Sequence, residues 1–143
     1  MEIARGWFTS RRRKDIEMNK KPQKPTGEDA LESRLSRARE IKITVTGRKS
    51  GRAISNPVWF VLEGEKLYLV PVNGSDTQWY KNMLKNPSIQ IEAGGQKAAR
   101  KGIAVADAKR VSSIVEKFRD KYGPGDIKKY YAKLDVAVLA ERP

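Results

Sequence analysis

The first feature that could do chemistry is a six-residue basic segment, residues 47–52, which reads Gly-Arg-Lys-Ser-Gly-Arg. Glycines allow a tight turn and bring backbone N–H groups close to an anion. Lys and Arg side chains add charge-assisted hydrogen bonds to phosphate oxygens. The spacing is not that of an ATP-binding P-loop, so the segment predicts a phosphate site of another kind. From the residues alone, the alternative is that this segment is an ordinary basic turn without a ligand.

The composition excludes several classes of chemistry. The 143 residues include no histidine and no cysteine, which rules out Ser–His and Cys–His catalysis, disulfides and thiolate metal sites. We therefore expect no metal site. The net charge of +13 attracts anions over long range, and nucleic acid, anionic lipid and phosphorylated cofactors all satisfy that preference.

Strands must position the basic segment, and six of them are predicted. They span residues 41–46, 57–62, 66–72, 88–93, 97–106 and 134–140. The run 57–62 is nearly continuous in apolar residues, which is typical of a strand buried on both faces. Tight turns make the strands antiparallel, and short antiparallel strands expose their edges unless the sheet curls shut. The predicted fold class is mainly β with peripheral helices, arranged as a six-stranded antiparallel barrel.

Four helices complete the predicted domain. A capping box is predicted at residues 26–29, before the first helix. Asp76 is predicted to cap a second helix that runs to about Lys85, with Leu84 among its buried residues. Asp107 is predicted to cap the third helix, and the fourth covers residues 126–132.

The chain divides into a basic, flexible tail at residues 1–25 and one domain at residues 26–143. Trp7 and Phe8 lie beside basic residues, a combination that can contact an anionic membrane surface. No apolar run is long enough to span a bilayer, and no signal pattern begins the chain. We therefore expect a cytoplasmic protein, with the tail as a weak contact to the inner membrane face. Met18 is an alternative start, in which case residues 1–17 do not belong to the native protein.

The order of motifs resembles a known family. Thr-Val-Thr-Gly-Arg-Lys-Ser-Gly-Arg at 44–52 is followed by Pro-Val-Trp-Phe-Val at 57–61, Asn-Gly-Ser at 73–75 and Gln-Trp-Tyr-Lys-Asn-Met-Leu at 78–84. This succession is similar to the deazaflavin-dependent nitroreductase family, within the pyridoxamine 5'-phosphate oxidase-like split barrels. The resemblance covers roughly residues 40 to 105 well and the C-terminal helix–strand pattern more loosely.

The resemblance implies a split β-barrel, usually a homodimer, that binds coenzyme F-420 or, in relatives, FMN. It implies an oxidoreductase that transfers hydride to a small organic acceptor such as a quinone or a nitro compound. By that match, residues from four places contact the cofactor: the basic turn, the next strand, the following loop and the helix after it. They are Arg48, Lys49, Ser50, Gly51, Arg52, Pro57, Trp59, Phe60, Asn73, Gly74, Ser75 and Trp79. Core packing is the alternative role for Trp79.

Such chemistry needs few protein groups, because a reduced deazaflavin carries its own hydride. Tyr80, Tyr122 and Tyr130 are the candidate proton donors. The family commonly has another Arg after the basic run, whereas residues 53–56 offer none, and the loop at 72–79 is shorter than in many relatives. The alternatives are an FMN-binding reductase, a cofactor carrier without turnover, and a basic nucleic-acid-binding barrel. The aromatics at 59, 60 and 68 fall within apolar strands, which argues against the last.

Overall fold

A computed structural model describes residues 27–143. Seven strands form the sheet: β1 (Ile41–Thr46), β2 (Ala53–Val58), β3 (Phe60–Glu63), β4 (Lys66–Leu69), β5 (Ser88–Ala93), β6 (Gln96–Val105) and β7 (Ala137–Glu141). Four α-helices accompany them: α1 (Gly27–Arg37), α2 (Gln78–Lys85), α3 (Ala108–Tyr122) and α4 (Pro124–Tyr130). A short 3-10 helix at Gly74–Asp76 precedes α2.

The strands form one antiparallel sheet in the order β2-β1-β5-β6-β7-β4-β3. β2 and β3 are consecutive in the chain, with only Trp59 between them, yet they lie at opposite ends of this order. A single residue can join the two edges only if the sheet curls until they approach each other. The fold is therefore a split barrel, mainly β with peripheral helices, as predicted.

The predicted number of six strands is wrong, because the segment 57–62 belongs to two strands rather than one. The chain turns at Trp59, and residues 53–56, which no predicted strand includes, extend β2 toward the basic turn. β2 is also not buried on both faces, since its side chains are exposed or half-buried. As an edge strand it pairs only with β1, and an edge accommodates Pro57, which has no N–H to donate.

The helix boundaries bring one confirmation and two corrections. The Asp107 side chain accepts a hydrogen bond from the Arg110 N–H at 3.0 Å, so Asp107 caps α3 as predicted. Asp76 does not cap α2, because it ends the 3-10 helix and Thr77 occupies the N-cap position. Leu84 is 54% exposed, whereas Asn82 is buried, because the inward face of α2 meets the basic turn as well as the core.

Two apolar cores lie against the sheet. The first packs α1 and α2 on it around Ile43, Phe60 and Ile91. The second packs α3 and α4 on it around Phe118 and Ile127. Together they hold the basic turn, Trp59 and the starts of α2 and α4 in a fixed relation.

The predictions for the tail at residues 1–25, for Met18 and for the side chains of the capping box lie outside the described residues. Between residues 27 and 143, no helix is long and apolar enough to cross a membrane.

Candidate functional site

The basic turn between β1 and β2 is closed by its own backbone. The Gly47 N–H donates to the Arg52 carbonyl at 2.7 Å, and the Gly51 N–H donates to the Gly47 carbonyl at 2.9 Å. The Ser50 hydroxyl accepts from the Arg52 N–H at 3.1 Å, which leaves its own proton to donate. Lys49, Ser50 and Arg52 are exposed, so an anion at this turn would meet two cations and a hydroxyl donor.

Arg48 is held differently from the other two cations of the turn. Its backbone N–H and its Nη1 donate to Asn82 Oδ1 at 3.0 and 2.8 Å, and its Nη2 donates to Gln78 Oε1 at 2.8 Å. Arg48 therefore fastens the turn to α2, and its guanidinium is already hydrogen-bonded. Asn82 was not predicted as a functional residue; the available signal was a polar residue on the apolar face of an amphipathic helix.

Gly51 sets the shape of the turn and provides a first test. Its φ is +72°, a conformation that costs an L-residue about 1–2 kcal/mol, although no atom lies within 4 Å of a Cβ built there. We expect Gly51→Ala to lower the free energy of unfolding by about 1 kcal/mol. Gly125→Ala is the matched control, since Gly125 also has open space but lies in α4 without positive φ. That control should gain up to about 1 kcal/mol in urea unfolding; equal effects at both positions would contradict the strain.

The largest candidate site is a cavity of about 630 Å³, within the usual size range of small-molecule sites. Its walls come from β2, from α4 and from the start of α2, with contributions from the segment before β1 and the segment after β4. The lining residues are Arg39, Glu40, Asn56, Pro57, Val58, Trp59, Val70, Val72, Thr77, Gln78, Trp79, Asp126, Tyr130 and Tyr131.

A smaller pocket of about 360 Å³ lies at the basic turn. It is lined by residues 47–50 of the turn and by Asn82, and it shares Asn56, Gln78 and Trp79 with the large cavity. The two pockets are therefore neighbours along one groove, which has a cationic end and a wider end walled by aromatic rings.

Trp59 forms the aromatic wall. Its ring stacks on Tyr122 with centroids 4.3 Å apart and planes 7° from parallel. Tyr130 meets the Trp59 ring edge-on at 5.7 Å. The Arg39 guanidinium carbon lies 5.5 Å from the Trp59 ring centroid, so the wall also carries a cation.

The three candidate tyrosines lie in different surroundings. The Tyr122 hydroxyl accepts from the Phe60 N–H at 3.0 Å, and its one proton has two acceptors, the Arg39 carbonyl at 2.7 Å and the Phe60 carbonyl at 2.8 Å. Burial raises the pKa of Tyr122. Tyr80 is also buried, and desolvation raises its pKa. Neither lines the cavity, whereas Tyr130 lines it and is 53% exposed. Phe60 is 0% exposed and belongs to the core rather than to the cavity wall.

The Asn73–Gly74–Ser75 loop is bound to the protein's own carboxylate. The Ser75 N–H and hydroxyl donate to Asp135 at 3.0 and 2.6 Å, and these bonds lower the Asp135 pKa. A Cβ at Gly74 would overlap the Asp135 side chain. This loop lines neither pocket of the groove, so the structure does not bring it together with the basic turn.

Residues outside the predicted set complete the groove. Arg39, Gln78 and Asp126 line it, and Arg39 Nη2 lies 3.6 Å from Asp126 Oδ2. Gln78 begins the motif at residues 78–84 but was not assigned a role. No sequence motif marks Arg39 or Asp126, because they meet only after α4 packs beside the segment that precedes β1. Among residues 27–143, no group of three or more Asp and Glu side chains is placed to hold a metal ion.

The chain matches a protein-family model and several solved structures. A family model described as F420H(2)-dependent quinone reductase matches residues 16–139. A solved F420-H2 dependent reductase shares 23% identity over 72% of this chain and 94% of its own, with a TM-score of 0.58. A solved F420 reductase shares 21% identity over 79% and 93%, with a TM-score of 0.55. The heme storage protein HutZ from Vibrio cholerae shares 14% over 81% and 89%, with a TM-score of 0.60. At these identities the structural likenesses show a common fold.

Proposed function

Because the chain belongs to the F420H(2)-dependent quinone reductase family, and is thereby an oxidoreductase that uses coenzyme F-420, we propose that it reduces a quinone in the groove described above. The observation that carries the proposal is the continuity of that groove. The pocket at the basic turn and the large cavity share Asn56, Gln78 and Trp79, so one ligand with an anionic tail and a flat ring can occupy both.

The charges of the basic turn fit such a cofactor: Lys49 lines the smaller pocket, and Arg52 is exposed at the end of the same turn, outside the lining of either pocket. Lys49 and Arg52 form no ion pair with any residue between 27 and 143, so their charge is available to a phosphate. We assign these two cations and the Ser50 hydroxyl to phosphate binding, and Arg48 to positioning the turn against α2. Trp59, Pro57 and Trp79 form the ring end of the groove.

The protein's part in the reaction is to position, shield and protonate. When bound, the reduced coenzyme supplies a hydride from its own ring. Trp59 and Trp79 give the cavity apolar walls that exclude water from the acceptor. Tyr130 presents a phenol to the cavity, where its O–H can donate a proton to an acceptor oxygen.

Two alternatives receive less support. A nucleic-acid-binding barrel needs exposed aromatics between cations, but Phe60 and Tyr68 are buried and Trp59 is half-buried. A phosphate grip suits FMN as well as coenzyme F-420, and it is the family that favours the deazaflavin. The homodimer stays a prediction. The exposed edge strand β2 is a surface on which a second copy of the chain can dock.

The test is turnover of the full chain with each cofactor. We expect the protein to oxidise reduced coenzyme F-420 with 1,4-naphthoquinone as the acceptor. The rise in deazaflavin absorbance measures the reaction. We also expect little turnover when reduced FMN replaces the deazaflavin. Binding of coenzyme F-420 without any turnover would contradict the proposal and favour a cofactor carrier.

Tyr130→Phe tests the proton donor within the same assay. We expect kcat to fall about tenfold, because solvent can partly replace an exposed phenol. Tyr122→Phe is the control: it removes a hydroxyl that the Phe60 N–H bonds, so it should lower the unfolding free energy by about 1–3 kcal/mol. An unchanged kcat in Tyr130→Phe would contradict the assignment.

A further inference from the structure

Arg39 is the cation of the ring end of the groove. Of the described residues that line the large cavity, it is the only Lys or Arg, and it does not line the pocket at the basic turn. The groove therefore has two cationic zones, one at each of its pockets. The motif resemblance assigns a phosphate-binding role to residues 48–52, and it assigns none to Arg39.

The segment that carries Arg39 is held at two points by the same ring. The Tyr122 hydroxyl oxygen lies 2.7 Å from the Arg39 carbonyl oxygen and 2.8 Å from the Phe60 carbonyl oxygen, so its one proton is shared between these two acceptors. The Arg39 guanidinium carbon lies 5.1 Å from the Tyr122 ring centroid and 5.5 Å from that of Trp59. Backbone and side chain are thus both placed by the Trp59–Tyr122 stack, which directs the guanidinium toward the cavity.

Asp126 does not occupy the hydrogen-bond donors of the Arg39 guanidinium. The closest N–O distance of the pair is 3.6 Å, which is longer than a hydrogen bond. The two side chains keep exposures of 62% and 46%, and a guanidinium has five N–H donors in a planar fork. Arg39 therefore retains donors for a ligand oxygen, with Asp126 beside it to limit its swing.

A quinone needs such a donor because of how its charge changes. The reduced coenzyme donates a hydride, which is two electrons and one proton, to the quinone and is itself oxidised. A second proton then completes the hydroquinone. Before that proton arrives, the product is a monoanion with its charge on oxygen. A fixed guanidinium stabilises charge that develops on an oxygen in a site of low water content.

We infer that Arg39 is the acceptor-recognition residue, and that it selects ring acceptors whose reduced form carries negative charge on oxygen. This rests on the proposed function, since it assumes that the acceptor shares the large cavity with the coenzyme ring. The Arg39 guanidinium makes the cavity selective for an anionic quinone-like ring over a neutral ring of the same size.

The test compares binding of two ring compounds by quenching of tryptophan fluorescence, with no turnover required. The first, 2-hydroxy-1,4-naphthoquinone, is an anion at neutral pH, and the second, 1,4-naphthoquinone, is neutral. We expect the protein loaded with oxidised coenzyme to bind the anion about tenfold more tightly. Arg39→Met should abolish that preference, and Arg39→Lys should retain most of it. Reduction of 1,4-naphthoquinone should also lose about tenfold in kcat/KM in Arg39→Met.

Arg119→Met is the matched control, because Arg119 is another surface arginine that pairs with a carboxylate, Glu116, away from the cavity. It should leave the anion preference intact. Coenzyme affinity, measured separately, should stay within about twofold in Arg39→Met, because the phosphate zone lies at the other pocket. An unchanged anion preference in Arg39→Met would overturn this inference alone, whereas a wild-type protein that binds no coenzyme would contradict the proposed function.

Discussion

Removing both exposed cations of the basic turn should nearly abolish coenzyme binding. We expect Lys49→Gln combined with Arg52→Gln to raise the Kd for coenzyme F-420 about 100-fold, at about tenfold for each charge-assisted contact. Neither side chain contributes to the core, and the turn is closed by backbone hydrogen bonds that both substitutions leave in place. The unfolding free energy should therefore change by less than about 0.5 kcal/mol. Fluorescence titration at two salt concentrations measures the effect.

The matched control removes the same net charge elsewhere. Lys97 and Lys101 are exposed on β6, which is separated from β1 by β5, and changing both to Gln should alter the Kd by no more than about twofold, because exposed charges that make no direct contact with the ligand are weakened by salt screening. If both double variants lose affinity equally, the protein attracts the coenzyme only through its overall field. In that case the basic turn is not the phosphate site.

Replacing Trp59 should cost more stability than its half-buried position alone suggests. We expect Trp59→Ala to lower the free energy of unfolding by about 2–3 kcal/mol, below the range for a fully buried ring because Trp59 is half-buried. The loss has two sources: the stack on Tyr122 and the packing at the point where the chain passes from β2 to β3. Urea denaturation measures it.

Two further variants separate these sources from a general loss of apolar surface. Trp59→Phe keeps an aromatic ring against Tyr122 and should lose less than half as much as Trp59→Ala. Leu84→Ala truncates an apolar side chain that is 54% exposed and should change stability by no more than about 0.5 kcal/mol. A Trp59→Ala protein as stable as Leu84→Ala would show that the junction of the two edge strands does not depend on this ring.

The errors in predicting the strands have a common origin. The run at 57–62 has the periodicity of one buried strand, but the chain turns at Trp59 and its two halves join opposite ends of the sheet. Periodicity reports which residues are apolar over a short window, and it carries no information on where a curled sheet closes. The exposed character of β2 follows from that closure, which no local pattern encodes.

The site shows the same division between local and distant information. Glycines and cations within six residues were sufficient to predict an anion site at the basic turn. The predicted role of Asn73–Ser75, in contrast, depended on which residue faces this loop in the folded protein. That residue is Asp135, which is 60 residues from Ser75 in the chain and accepts hydrogen bonds from the Ser75 N–H and hydroxyl. Tyr122 and Tyr130 are alike by residue type and close in sequence, yet only packing separates a buried hydroxyl from one that lines the cavity.

The mainly β class, the basic turn with its glycines, and the exclusion of His- and Cys-based chemistry follow from the amino-acid sequence alone, because they depend on residue types and short spacings. The tertiary structure decided the seven-stranded closure at Trp59, the attachment of Arg48 to α2, and the meeting of Arg39 with Asp126. Those features join segments tens of residues apart, and their geometry arises only when the two cores pack against the curled sheet.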